Sequence, residues 1–497
     1  MHVWDVSMFR TQFAFTLTLV LGGVLAAATS CEAGRSEGPP NIVFILTDDL
    51  GWADVECYRQ DGTFDTPNID QLAAEGVRFT DFYAACPVCS PTRASIQAGQ
   101  YQARLHLTDF IPGHWRPFEK LVVPYNANHL PDAIETPAEL LSKADYTSGY
   151  FGKWHLGWGP QQQPKQQGYD VSQPYGGHWK KSPEGNEEYA TQTMTRQAEE
   201  FIEQNRENPF FLFLSPFAVH SPLAAEREKV TKYEQRLGGE SGPEGVLPSP
   251  VYAAMVEHVD DMVGAVVTKL EASGLTENTV VIFTSDNGGL YRMYLGVGDR
   301  VTDNGPLRGE KGTIYEGGIR VPCIIKAPGI AKAGVVCDEP TISVDFWPTM
   351  AQLAGVGPDD RTQRIDGMSL VPLLSDPEGT LDREAIFWHY PHYHHMDPTA
   401  AVRAREWKLI RHFDGQPDEL FHLGNDLGEE TNLATAHPDV TQRLNRTLDT
   451  WLTEVDALLP TENEKFDASR AAEWWNRGSG KPVGPRAGDH YRGSDVR

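Results

Sequence analysis

NIVFILTDD, residues 41–49, is an apolar run that stops abruptly in two carboxylates. Ile42 to Leu46 are apolar without interruption, which is the pattern of a strand buried on both faces rather than one with a wet side. Three more stretches read the same way: YTSGYFGKWHLG (146–157), NPFFLFLSPFAVHSP (208–222) and NTVVIFTSDNGG (278–289). Between them lie helical patterns at PNIDQLAAEGVRF (67–79), ATQTMTRQAEEFIEQNR (190–206) and VYAAMVEHVDDMVGAVVTKLEASG (251–274), the last stopped by Gly274. Strands alternating with helices predict an α/β fold, a large mostly parallel sheet sandwiched by helices. Ligands of such sheets bind outside the carboxyl ends of the strands. The four strand-like runs end in Asp48-Asp49, in Lys153 and His155, in His220, and in Asp286-Asn287. Residues able to bind metals, anions or protons at four separate strand ends predict one shared site.

The rest of the chain arranges itself around this core. Its 497 residues suffice for a large buried interior. A formal net charge of -26 argues against a nucleic-acid partner, because holding phosphates takes clustered Lys and Arg. Arg10 precedes TQFAFTLTLVLGGVLAAATS, which has the length and composition of an export signal. Because ATSC resembles a bacterial lipobox, residues 1–31 are read as a signal peptide, with Cys31 as a candidate lipidated residue. The expected destination is the periplasm, the medium or the outer membrane. Residues 32–40 read as a polar linker and 41–375 as the main domain. Beyond 375 short alternating strands and the helical HPDVTQRLNRTLDTWLTEVDALL (437–459) predict a smaller α+β subdomain, 376–460, with an antiparallel sheet. Residues 461–497 read as a mobile or wrapping extension.

CPVCSPTR (86–93) offers two readings. As C-x-x-C it would be a redox pair or half a zinc site, set in a loop-and-turn stretch. No second pair accompanies it, since Cys57, Cys323 and Cys337 are scattered singly. Cys86 is then a buried thiol or a disulfide partner of Cys57. As Cys89-Ser-Pro-Thr-Arg93 the stretch reads C-x-P-x-R, followed by ASIQAGQYQAR (94–104). Together with GKWHLG (152–157), TDD (47–49), SDNG (285–288) and GEKGTIYEGGIRVP (309–322), it resembles the type I, formylglycine-dependent sulfatases of the alkaline-phosphatase-like superfamily. The resemblance runs from residue 41 to about 460. Gln97, Ala98 and Gln100 stand where the family commonly has Leu, Thr and Arg. The Cys, Pro and Arg positions are intact, so the departure bears on how efficiently Cys89 is converted.

The resemblance implies a sulfuric ester hydrolase. Cys89 would be oxidised to formylglycine by a formylglycine-generating or sulfatase-maturating enzyme, and the hydrated aldehyde would be the nucleophile. Asp48, Asp49, Asp286 and Asn287 are hard oxygen donors that suit Ca²⁺, or Mg²⁺, with residue 89 completing the set. A sulfate ester carries a fixed negative charge that repels an attacking anion, so positive charge is needed. The family match assigns that task to Lys153 and Lys311, and the holding of residue 89 to Arg93. It makes His220, with Lys311, the acid for the leaving alcohol and His155 the base that expels sulfate. The expected substrate is a sulfated carbohydrate. Arg116, His178, His389, His392 and His394 are candidate contacts, because aromatics with His and Arg suit a sugar-binding rim. The competing activities are a phosphonate or phosphate monoester hydrolase on the same scaffold and an arylsulfatase with a small substrate; a sugar-binding relic without catalysis is the non-enzyme alternative.

Overall fold

The run Asn41–Thr47 forms β1, and all seven of its residues are buried. Successive side chains of a strand face opposite sides, so β1 feeds two cores. Val43 and Ile45 belong to one hydrophobic cluster, and Ile42, Phe44 and Leu46 to the other. A computed structural model describes residues 38–181, 187–242, 245–292, 299–356 and 363–483. The expected signal peptide over residues 1–31, with Cys31, and residues 484–497 lie outside the described residues.

β1 sits inside an eight-stranded sheet with β2 (Val77–Phe79), β3 (Thr147–Gly152), β4 (Val171–Pro174), β5 (Phe210–Ser215), β6 (Thr279–Ser285), β7 (Cys323–Lys326) and β8 (Val335–Cys337), in the order β8-β2-β7-β6-β1-β5-β3-β4. Five of its seven pairings are parallel, and only β7 runs antiparallel to its neighbours. The sheet is mostly parallel, as the unbroken apolar runs predict. Register matches Ile42 with Phe211 and Thr47 with Ser285, which brings the strand ends level.

Helices cover both faces. α1 (Pro67–Glu75) is shorter than its sequence pattern. Gly76 stops it, and Val77–Phe79 turns into β2, clasped between β7 and β8. A Cβ at Gly76 would come within 2.6 Å of the Ile325 carbonyl oxygen, so the close crossing needs glycine. Cys89 is not in a loop. It opens α2 (Cys89–Ala98), a helix whose ten residues are all buried. α3 (Ala190–Asn205) and α4 (Pro250–Ala272) follow the predicted spans and contribute Met194, Phe201, Val259 and Val263 to the first cluster. Cys57, Cys86, Cys89, Cys323 and Cys337 are all free, so Cys86 is a buried thiol and makes no disulfide with Cys57.

The C-terminal antiparallel sheet consists of β9 (Ile386–Tyr390), β10 (Thr399–Ala404), β11 (Trp407–His412) and β12 (Glu419–His422). α5 (Pro438–Glu454) covers it with Leu444, Leu448 and Trp451. One buried charge cluster joins this sheet to the 309–322 segment. Lys408 on β11 is fully buried, 2.8 Å from Glu316 and 2.8 Å from Glu429, both also fully buried. Glu316 also accepts from Tyr83 Oη at 2.7 Å, and Glu429 accepts the Glu316 amide at 2.7 Å. Burial pushes the Glu429 carboxyl up to about 7 against the pull of Lys408. Residues 461–483 run back to the 114–122 stretch, where Thr461–Glu462 pairs with Leu121–Val122 and Trp474–Asn476 with His114–Trp115.

Removing the cation from this cluster leaves Glu429 buried without a cation, while Glu316 keeps only Arg320 at 3.2 Å. Lys408→Met is therefore expected to lower unfolding free energy by about 3–5 kcal/mol, read as a lower urea midpoint at unchanged slope.

Candidate active site

The site lies at the carboxyl edge of four adjacent parallel strands. β1 delivers Asp48 and Asp49, β6 delivers Asp286 and Asn287, β5 leads to His220, and β3 leads to Lys153 and His155. Cys89 meets them from the first turn of α2. Asp49 and His155 hold φ of 64° and 57°, left-handed values that side chains rarely adopt. Residues held in such a conformation collect where surrounding structure fixes them for function.

Arg93, buried one turn into α2, ties the strand ends together. Its Nε donates to Asp286 Oδ2 at 2.8 Å, and its Nη1 to the Lys153 carbonyl at 3.0 Å and to Ser215 Oγ at 2.6 Å. Tyr150 Oη donates to the same Lys153 carbonyl at 2.5 Å. Lys153 Nζ reaches both Asp48 oxygens, at 2.8 and 2.6 Å. Lys311 Nζ reaches Asp49 Oδ2 at 2.8 Å. Burial would raise the Asp49 carboxyl, but Lys311, His220 and Lys153 hold it well below the usual range. Asp286 is pushed up to about 6 by burial and by its carboxylate neighbours Asp48 and Asp49, against the pull of Arg93 and Lys153.

His155 faces Cys89, with Nδ1 3.2 Å from Sγ. Its Nε2 lies 2.6 Å from the Ile111 carbonyl oxygen. A carbonyl can only accept, so Nε2 carries the proton and Nδ1 presents a lone pair to residue 89. Burial and the charge of Lys153 hold the ring neutral, well below the ordinary imidazole pKa. His220 gives its Nδ1 proton to the Ser221 carbonyl at 2.5 Å, and its Nε2 lies 3.7 Å from Asp49 Oδ2. Burial and Lys311 push it down to about 3.

The five substrate candidates separate. His178 is buried and bonds the His220 carbonyl at 2.8 Å through Nε2, so it supports the backbone behind His220. His389 is fully buried, with Nε2 3.0 Å from the Leu458 carbonyl. His392 is fully buried between Thr108 Oγ1 at 2.7 Å and Arg477 Nη2 at 2.9 Å. These three are interior groups and present no face to a substrate. Arg116 and His394 are half-buried. His394 stands beside Lys311, because a Cβ on Gly312 (φ 82°) would lie 1.9 Å from its Nδ1. Sequence reasoning missed Ser215 and Ile111. Ser215 is the polar end of FFLFLS, a signal of the same kind as the other strand ends, whereas Ile111 acts through its carbonyl and carries no side-chain signal.

The donor set fits a hard divalent cation. Asp48, Asp286 and Cys89 bring one possible ligand atom each within 4.8 Å of one another, as do Asp48, Asp49 and His220. Asn287 Nδ2 donates to Asp49 Oδ1 at 2.8 Å, and its buried Oδ1 has no hydrogen-bond partner among the described residues. A buried acceptor beside three carboxylates is what such a cation coordinates.

The family model described as Sulfatase matches residues 40–356. The chain belongs to the sulfatase family. A second model, N-sulphoglucosamine sulphohydrolase, C-terminal, matches residues 309–456. Similar proteins include a sulfatase of Formosa agariphila, 30% identical over 88% of this chain and 94% of that protein. The N-acetylgalactosamine-6-sulfatase of Homo sapiens is 30% identical over 86% of this chain and 88% of its own, and human arylsulfatase A is 31% identical over 85% and 89%. Among solved structures, that of Ps i-CgsB in complex with k-i-k-neocarrahexaose superposes with a TM-score of 0.71 at 27% identity, covering 87% of this chain and 96% of that one. The protein is thus a sulfatase, an enzyme that hydrolyses sulfuric esters, and the strand-end residues fall within the matched span.

Metal binding can be read without turnover. A divalent cation at a hundredfold excess over its dissociation constant is expected to stabilise the chelator-treated sulfatase by about 2.7 kcal/mol. Asp286→Asn is expected to abolish the resulting rise in melting temperature.

Proposed function

We propose that this sulfatase removes sulfate from a sulfated carbohydrate, with Cys89 converted to formylglycine and Ca²⁺, or Mg²⁺, held by Asp48, Asp49, Asp286 and Asn287. The observation that carries the reading is the pair of contacts on His155, whose bare Nδ1 faces residue 89 because Ile111 holds the proton on Nε2. Hydrated formylglycine supplies an oxygen nucleophile, and the metal supplies Lewis-acid polarisation of a sulfate oxygen.

The chain's own groups do the rest. Lys153 and Lys311, buried at the floor of the site, set two positive charges where an anionic group must rest. Arg93 fixes the first turn of α2 against three strand ends, so residue 89 is oriented before substrate arrives. His155 Nδ1 takes a proton from the side chain of residue 89, and the Ile111 carbonyl keeps its bond to Nε2 throughout. His220 can donate to the leaving alcohol only from Nε2, and only when doubly protonated, because its Nδ1 proton is committed to Ser221. Burial and Lys311 oppose that form and Asp49 favours it, and the Lys311 ammonium, which shares Asp49 with His220, is a second donor. The names of the relatives, an N-acetylgalactosamine-6-sulfatase and a protein in complex with k-i-k-neocarrahexaose, support a sugar as the alcohol. The same proposal includes a maturating enzyme acting on Cys89 and export through residues 1–31.

Side-by-side rates on an aryl sulfate and the matching aryl phosphate test the reaction. Sulfate release should dominate, and a dominant phosphatase activity sinks the reading. Peptide mass spectrometry across residue 89 should show aldehyde in place of thiol, and unmodified Cys89 in fully active enzyme overturns the mechanism. Cys89→Ala is expected to lower kcat by at least about 10³-fold, while Arg93→Lys, which keeps charge but loses the fork, should cost about 10²-fold through misplacement of residue 89.

A further inference from the structure

The C-terminal extension puts side chains beside this site that the reading above leaves without a role. In the ribbon formed by Trp474–Asn476 and His114–Trp115, Trp475 lies opposite Trp115 and Asn476 opposite His114. Opposed residues share a face and neighbours alternate, so His114, Arg116 and Trp474 lie together and Trp115 with Trp475 lies behind them. The distances agree: the Arg116 guanidinium sits 4.2 Å over the Trp474 ring, and the His114 ring is 5.9 Å from it.

This face adjoins the catalytic residues. The Phe110 ring lies 4.9 Å from His114 and 6.1 Å from His394. The next residue, Ile111, holds His155, and His394 abuts Gly312, next to Lys311. Arg477 pins the arrangement, donating from Nε to the His114 carbonyl at 3.2 Å and from Nη2 to His392 Nδ1 at 2.9 Å.

Two polar atoms on this face, His114 Nδ1 and Arg116 Nε, are shielded from solvent and have no hydrogen-bond partner among the described residues, and neither has His394 Nδ1, which lies across Phe110 against Gly312. Buried polar groups are nearly always paired, so two such atoms beside one half-buried indole mark a place that a polar ligand completes. A pyranose ring has the matching chemistry, with an apolar face for the indole and hydroxyl or amide groups for the nitrogens. We propose that Trp474, with His114, Arg116 and His394, forms a saccharide subsite beside the sulfate ester, so that the C-terminal extension is part of the active site. The proposal rests on the carbohydrate-sulfatase reading.

The test compares the full-length matured enzyme with its Trp474→Ala and Trp474→Tyr variants, on a chondroitin-6-sulfate tetrasaccharide, on neocarrahexaose and on 4-methylumbelliferyl sulfate. For Trp474→Ala the ratio of kcat/KM on the preferred oligosaccharide to that on the aryl sulfate should fall about tenfold, through KM. Trp474→Tyr should restore most of it. In a Cys89→Ala background, calorimetry should show about tenfold weaker oligosaccharide binding when Trp474 is also replaced. Equal losses on both substrate types, an unchanged ratio, or no oligosaccharide binding by the Cys89→Ala chain would each overturn the subsite. Wild-type enzyme releasing no sulfate from any substrate would instead overturn the carbohydrate-sulfatase reading, while the calorimetry still decides the subsite. Should Trp474→Ala fail to fold, His114→Gln reads the same ratio.

Discussion

Arg93 is the constraint on which the site depends. Its guanidinium is buried and reaches groups at the ends of three strands: Asp286 after β6, the Lys153 carbonyl after β3 and Ser215 of β5. Asp48, after β1, lies 3.7 Å from Nη2. A single planar cation therefore sets the spacing of four neighbouring strands at the edge where the chemistry gathers. Its planar fork suits several fixed acceptors better than an ammonium would. Because Arg93 and Cys89 share the first turns of α2, the same cation places Cys89 relative to the strand ends.

Much of this was legible in the sequence. Uninterrupted apolar runs gave the parallel sheet, and what followed each run gave the strand-end residues, because a strand buried on both faces must expose its polar groups where it stops. The less legible parts depend on contacts between distant residues. His389, His392 and His178 look like a binding rim by composition, yet each pairs with a group that the fold brings from elsewhere: Leu458, Thr108 and His220. A histidine that a distant carbonyl or hydroxyl satisfies reads the same as one that awaits a ligand. The end of α1 was misplaced for a similar reason, since Val77–Phe79 fits a helical pattern until β7 and β8 enclose it.

The segment GEKGTIYEGG (309–318) joins two roles over a few residues. Lys311 holds Asp49 in the active site, and Glu316 lies in the buried cluster with Lys408 and Glu429 of the C-terminal subdomain. His395 Nδ1 adds a contact to the Lys311 carbonyl at 2.8 Å. The subdomain thus packs against the loop that carries Lys311 through a pair of fully desolvated ion pairs.

The Ile111 carbonyl has a consequence of a different order. The group that decides which nitrogen of His155 is bare belongs to the main chain, so every amino acid at position 111 supplies it. Selection there acts on chain length and path, not on side-chain identity. A neutral-looking exchange in the 109–113 turn leaves the proton where it is, whereas one inserted or deleted residue would move it, and aligning side chains alone would register neither difference.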